Sequence, residues 1–263
     1  METVSELLKS GNLSAAIDAT TAKVKSAPTD LDARWLLSEL LVVSGQNDRA
    51  DQQLDALMNL EPRASVTAVP VRQLLRAEAA RRQFFDEGRV PELIDGADDA
   101  IRARLEAFVL LRAGDRDGAG RIVEQAEKDR PALAGQMGDR SFSDIRDLDD
   151  ITAGVFEVLT HTGKYYWIPM NRVDSIDFVP AERPLDLVWR QAHMVVRDAF
   201  EADVHLPAVY GTLQGNDDAS RLGQRTDWLG MEGEAVVGVG RRLFVLDGED
   251  TIDMMELQSL RFG

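Results

Sequence analysis

Apolar residues recur through the first half of the chain at intervals of three and four, the period of a helix with one buried face. Val4, Leu7 and Leu8 open the pattern, and Ala16, Ile17, Thr20 and Val24 form the stripe of a helix from Leu13 to Val24. The pattern predicts a helix from Asp32 to Val43 with Trp35, Leu36, Leu40 and Val43 turned inward. The next, from Arg49 to Leu60, buries Leu54, Leu57 and Met58. A longer helix runs from Val69 to Phe85 and is broken by Glu87 to Pro91. Two more cover Ala100 to Arg112 and Asp117 to Asp129, the last burying Ile122, Val123 and Ala126.

Punctuation between these helices is periodic. Gly11 and Pro28, Gly45 and Pro62, and Gly114 and Pro131 are each 17 residues apart, and the first two pairs are offset by 34. That offset is the period of a tetratricopeptide repeat. The glycine sits where a turn between antiparallel helices calls for positive φ, and the proline ends the second helix or its loop. Ala16, Ala50 and Ala119 each follow their glycine by five residues, where a small side chain lets the two helices touch. Residues 65–99 fill nearly one more period without these landmarks and read as a diverged or irregular helical pair.

Past residue 135 the helical period fades. Val155 to Leu159 is a short apolar run. Tyr165 to Ile168 is aromatic and β-branched, and Ser175 to Val179 alternates; both read as strands. Asp186 to Arg190, Met194 to Val196, Ala235 to Val239 and Arg242 to Leu246 are further candidates, the last two separated by Gly240-Arg241 as a hairpin turn. Ile252 to Met254 and Leu257 to Leu260 close the sheet. The expected architecture is multidomain, α and β. A tetratricopeptide-like α-α repeat domain over residues 1–135 packs on an α+β domain with a mainly antiparallel sheet over residues 136–263.

Composition narrows the function. The 263 residues carry a formal charge of −16 and no cysteine, which excludes disulfides, thiolate nucleophiles and Cys-bound metal. Residues 1–140 hold 19 basic and 24 acidic side chains; residues 141–263 hold 11 and 22. Such acidity opposes nucleic-acid backbones and anionic membranes and permits a basic protein partner. No apolar run reaches spanning length, and the start Met1 to Glu6 is unlike a signal peptide. The chain reads as soluble and cytoplasmic, without membrane insertion.

Motifs for chemistry are missing. Gly238-Val-Gly240 lacks the third glycine of a dinucleotide loop, and no serine stands in a nucleophile elbow. His161, His193 and His205 are scattered. Asp144, Asp147, Asp149 and Asp150 lack the glycine and terminal glutamate of a calcium loop and read as a solvated linker or helix caps. No catalytic residue, cofactor or metal is expected. Trp35, Trp167, Trp189 and Trp228 read first as core. Tyr165 and Trp167 share one face of their strand and Tyr166 the other, so one face packs inside while the other meets solvent or a partner.

Several stretches taken together resemble the ImpE family, also called SciE or TagJ, of bacterial type VI secretion accessory proteins. They are Leu7 to Leu13 with Ala15 to Ile17, the Trp35–Gly45 helix, Gln53 to Pro62, Leu74 to Arg81, and Phe85 to Pro91. Gly163-Lys-Tyr-Tyr-Trp-Ile-Pro169, Ile176, Pro184-Leu-Asp-Leu-Val-Trp189, Leu206-Pro207 and Tyr210 complete the set. Gln191 to Phe200 is less typical. The resemblance implies a tetratricopeptide-like domain followed by an α+β domain, and no enzymatic activity. It also implies engagement of the N-terminal helix of the small sheath subunit TssB, part of a sheath recycled by the ATPase ClpV.

The resulting expectation is a non-enzymatic adaptor that binds such a sheath helix and modulates sheath assembly or recycling. The alternatives are a repeat scaffold unrelated to secretion and an enzyme with its site in the C-terminal domain. Helical repeats hold partners on their concave side, which makes Arg34 and Glu39 candidate partner-binding residues. Arg72 and Arg76, one turn apart on the middle helix, either face solvent, bridge the domains or receive an acidic partner. Tyr166 and Trp189 complete the candidate set.

Overall fold

The computed structural model describes residues 2–211 and 217–263. Its first half is helical: α1 (Val4–Lys9), α2 (Leu13–Ser26), α3 (Leu31–Val43), α4 (Asn47–Leu60), α5 (Ser65–Glu87), α6 (Asp99–Ala113) and α7 (Arg116–Asp129). Local chemistry sets these ends. Thr3 and Glu6 form a capping box at α1, and Asn12, Asp30, Asp98 and Asp115 each accept a backbone N–H at the start of a helix. Gly11, Gly45 and Gly114 take φ of 78°, 79° and 85° at the turns after α1, α3 and α6, a region that favours glycine. Ala16, Ala50 and Ala119 have no exposed surface. They let α1–α2, α3–α4 and α6–α7 close into three hairpins.

The stretch 65–99 departs from the expected helical pair. It holds one long helix, α5, ended by Gly88 at φ 79°, and no second helix. The chain instead crosses to the sheet. Glu92 accepts from the Trp167 N–H at 3.1 Å and donates its own N–H to the Tyr165 carbonyl at 2.9 Å.

The second half carries β1 (Gly135–Met137), β2 (Arg140–Phe142), β3 (Ile145–Asp147), β4 (Val155–Leu159), β5 (Tyr165–Pro169), β6 (Val173–Phe178), β7 (Trp189–Val196) and β8 (Phe200–Pro207). After the one-turn helix α8 (Asp218–Arg221) come β9 (Thr226–Leu229), β10 (Val237–Gly240), β11 (Leu243–Leu246), β12 (Asp250–Asp253) and β13 (Ser259–Phe262). Eight strands form one antiparallel sheet in the order β2-β1-β13-β6-β7-β8-β4-β5; β12-β11-β3 and β10-β9 form two small ones. The architecture is thus a helical region followed by an antiparallel sheet region, mixed α and β.

Three details differ from expectation. Gly240-Arg241 makes no hairpin: β10 pairs with β9, while β11 lies between β12 and β3. The chain between β10 and β11 is held by a different neighbour, with the Tyr210 N–H on the Gly240 carbonyl and the Arg242 N–H on the Ala208 carbonyl. Pro184–Leu187 is a 3-10 turn, so the strand begins only at Trp189. Strand β8, unforeseen, pairs with β7 along its whole length from Trp189↔Pro207 to Val196↔Phe200.

Alternation on the strands builds two cores. Val155, Leu159, Tyr165 and Trp167 face the helices and join one cluster with Leu40, Leu74 and Phe84. Phe156, Val158 and Ile168 face the other way, against Phe244, Leu246 and Leu257. The large sheet is therefore the middle of three layers. The helical layer meets it through α5 on β4 and β5, α3 on the Pro184–Leu187 turn, and α2 on α8. Ala50→Leu should overfill the α3–α4 contact and lower stability by about 1–3 kcal/mol. The exposed Ala79→Leu should stay within about 0.5 kcal/mol of the parent. Urea denaturation of both variants checks the pair; equal midpoints would show that the alanine is not a close-contact position.

Candidate functional site

Glu157 occupies the centre of an otherwise apolar strand, Val155-Phe-Glu-Val-Leu159, and alternation turns it toward the helices. It is 2% exposed. A carboxylate there needs opposite charge within hydrogen-bond reach. Arg81 of α5 supplies it through Nε at 2.8 Å and Nη2 at 3.2 Å, and Arg242 makes a second short ion pair. The Tyr165 hydroxyl donates to Glu157 at 2.5 Å and accepts from Trp167 Nε1 at 2.6 Å. Burial works to raise the Glu157 carboxyl, but Arg81 and Arg242 overcome it and hold it at about 2.

Arg242 carries the network on. Its Nη1 donates to Asp147 Oδ2 at 2.6 Å, and the Tyr210 hydroxyl donates to Asp147 Oδ1 at 2.8 Å. Asp149 accepts the N–H groups of Ile151 and Gly238 at 2.8 and 2.9 Å. Burial, and then the neighbouring Asp147, push the Asp149 carboxyl up to about 7. Asp147 and Asp149 are 0% and 4% exposed, which corrects the solvated linker or capping role expected of the acidic run. Arg242 is the reason: its charge makes burial of Asp147 tolerable.

Beside the network lies a cleft of about 260 Å³ between α3, α5 and the start of β7. Val42, Val43, Val188 and Phe85 line it, with Arg82 and Arg221 among its charged groups. Glu78 is buried there, accepting from Trp189 Nε1 at 3.3 Å and standing 3.6 Å from both Arg81 and Arg82. Arg82 also donates to the Gly45 carbonyl at 2.7 Å. The arrangement suits joining helices to sheet. Each carboxylate of the network is committed to an arginine, a hydroxyl or backbone N–H groups.

The six candidate partner-binding residues fall in different places. Glu39 is buried at the α3 seam, accepting from Trp35 Nε1 at 2.9 Å with Arg183 at 3.4 Å. Burial raises its carboxyl to about 7 against the pull of Arg183. Trp189 is buried as well. Arg34 reaches the Pro28 carbonyl and Gln53, and Arg72 pairs with Asp51 and Asp55 of α4. Arg76 touches Gln73, and Tyr166 is half-buried with Lys164 over its ring. The arginine that bridges helices and sheet is Arg81. His161 and His205 come together with ring centroids 5.0 Å apart. Burial, with His161 beside it, lowers His205 to about 4. Among the described residues no group of three or more such side chains could hold a metal ion.

Sequence reading missed Glu157, Arg242, Asp147 and Tyr210. The mark was there for two of them: a carboxylate in an apolar run, and an arginine just before Leu243-Phe-Val-Leu246.

Comparison with known proteins is consistent across the chain. The profile of the ImpE protein family matches residues 139–261. The type VI secretion system accessory component TagJ of Pseudomonas aeruginosa is 33% identical over 258 residues, 98% of this chain and 90% of that protein. A crystal structure of a Vibrio parahaemolyticus protein superposes with a TM-score of 0.90 at 27% identity, covering 99% of this chain and 97% of that one.

Two measurements check the seam. Arg242→Met leaves Asp147 and Glu157 buried without a shared cation and should cost about 3–5 kcal/mol in urea denaturation; a loss below about 1 kcal/mol would remove the network from its central place. For Glu39 the folded carboxyl lies above its ordinary 4.5. Its contribution is therefore fully present below about 4.5 and lost as pH rises through about 7. Glu39→Gln, which keeps an acceptor for Trp35, should gain on the parent protein as pH rises across that window. Parallel stability profiles would contradict the assignment.

Proposed function

We propose a function from the premise that this chain belongs to the ImpE family, which includes TagJ. It is an accessory protein of type VI secretion, acting in the cytoplasm through protein contacts rather than catalysis. Its partner is the N-terminal amphipathic helix of the small, TssB-like sheath subunit, and holding that helix modulates sheath assembly or recycling. The observation that carries this reading is the relationship to TagJ along nearly the whole chain.

Three features support it. Helical hairpins present helix-sized flanks, and helix-in-groove recognition by such flanks is a recurrent way to hold a peptide. The helical and sheet regions, residues 1–135 and 136–263, are joined by buried ion pairs and act as one body. No helix among the described residues is long and apolar enough to cross a membrane. Of the candidate residues, Arg34, Arg72, Arg76 and Tyr166 retain surface open to a partner.

A synthetic peptide of the small sheath subunit's N-terminal helix, titrated into the full-length protein and followed by fluorescence anisotropy, should bind saturably in the micromolar range. No binding at high micromolar peptide would sink this reading.

A further inference from the structure

The three complete hairpins each lay a second helix against the first: α2 on α1, α4 on α3, α7 on α6. Helix α5 is different. It packs on α4 behind it and on β4 and β5 beneath it, and the chain after Gly88 runs to the sheet edge instead of returning along the helix. The outer flank of α5, where a returning helix would lie, is solvent-facing. It is also unusually apolar for a surface. Val66 is 78% exposed and Val69 43%, three residues apart on one side of the helix, and Leu60 at the end of α4 is 44% exposed. Spacing of three brings side chains onto one ridge.

The charge around this ridge has a sign. Residues 61–82 hold five arginines and two glutamates in a chain whose formal charge is −16. Glu78 and Arg81 of that set are buried at the seam. Outward-facing Arg63 and Arg76 have no ion pair among the described residues, and Arg72 beside them meets Asp51 and Asp55. The flank is therefore an apolar ridge with cations at its rim.

We propose that the outer flank of α5 is the docking surface for the partner helix, which takes the place of the missing second helix of the third hairpin. Its occupant is an amphipathic helix whose apolar stripe is bordered by acidic residues. Val66, Val69 and Leu60 meet the stripe, and Arg63, Arg72 and Arg76 meet the acidic border. Apolar contact at the centre supplies the affinity, and the charged rim sets orientation and encounter rate. The inference rests on the reading that the partner is the sheath subunit's helix, and it names the face of this chain that receives it.

The same peptide titration, on full-length variants, tests the surface. Val66→Asp with Val69→Asp should weaken binding at least tenfold. Both sites are exposed and near the start of α5, where added acid suits the helix dipole, so the urea midpoint should stay unchanged. Arg63→Glu with Arg76→Glu should also weaken binding and flatten its salt dependence. Val109→Asp, 61% exposed on α6, should bind like the parent. If the parent binds and the α5 variants bind equally well, the surface is wrong and the function stands. Equal weakening by Val109→Asp would likewise overturn the surface. If the parent itself does not bind, the functional reading fails and the surface with it.

Discussion

The structure depends on the neutralisation of one carboxylate. Glu157 sits in the dry middle layer with apolar residues on both sides along its strand. An ionised group there is stable only with opposite charge and hydrogen bonds in good geometry. Arg81 approaches from the helices and Arg242 from the sheet region, and the Tyr165 hydroxyl completes the shell. Neither arginine has a substitute within the network. The helical layer therefore has one register on the sheet, because sliding α5 by a turn would leave Glu157 short of a cation and Arg81 buried without its anion. Packing reinforces that register: Phe84, next in line on α5, stacks on Phe108 at 4.1 Å and meets Trp167 edge-on at 5.0 Å.

That commitment explains the broken repeat. In a regular array the third hairpin would close on itself. Here α5 is drawn out to 23 residues, with Arg81, Phe84 and Phe85 facing β4, β5 and α6. The chain after it supplies Glu92 to the outer edge of β5 rather than a helix to the flank of α5. The hairpin α6–α7 resumes the pattern with its own glycine and alanine, Gly114 and Ala119. One charge requirement at the seam thus changes the topology of the array on either side of it.

The helices were legible because their landmarks are local. A positive-φ glycine, a capping Asp or Asn, and an alanine five residues on each act within one or two turns of the chain. The two faces of β5 were legible for the same reason, since alternation is a local property. The seam was not. Glu157 and Arg81 are 76 residues apart, and Arg242 and Asp147 are 95 apart. Nothing near Asp147 in sequence distinguishes it from a solvated acid. The false hairpin at Gly240-Arg241 failed on the same ground: a turn-like dipeptide between two apolar runs was overruled by the distant segment 208–210.

The distribution of free surface limits how such a body can recognise a partner. The inward side of the repeats, where helical arrays ordinarily hold peptides, is taken by the protein's own elements: the Pro184–Leu187 turn lies on α3, and β4 and β5 lie on α5. Strand addition is poorly served as well. The β5 edge is bridged by Glu92 and ended by Pro169, β2 is three residues long, and the outer strands β9 and β12 carry Asp227, Asp250 and Asp253. Short, charged or covered edges resist pairing with another chain. What the fold leaves open at helix scale is the outer side of its hairpins. There the exposed faces of α4 and α7 are mainly polar, while the start of α5 presents valines. The seam that locks the two regions together also leaves that side of α5 uncovered, so the constraint that fixes the fold and the feature that invites a helix have one origin.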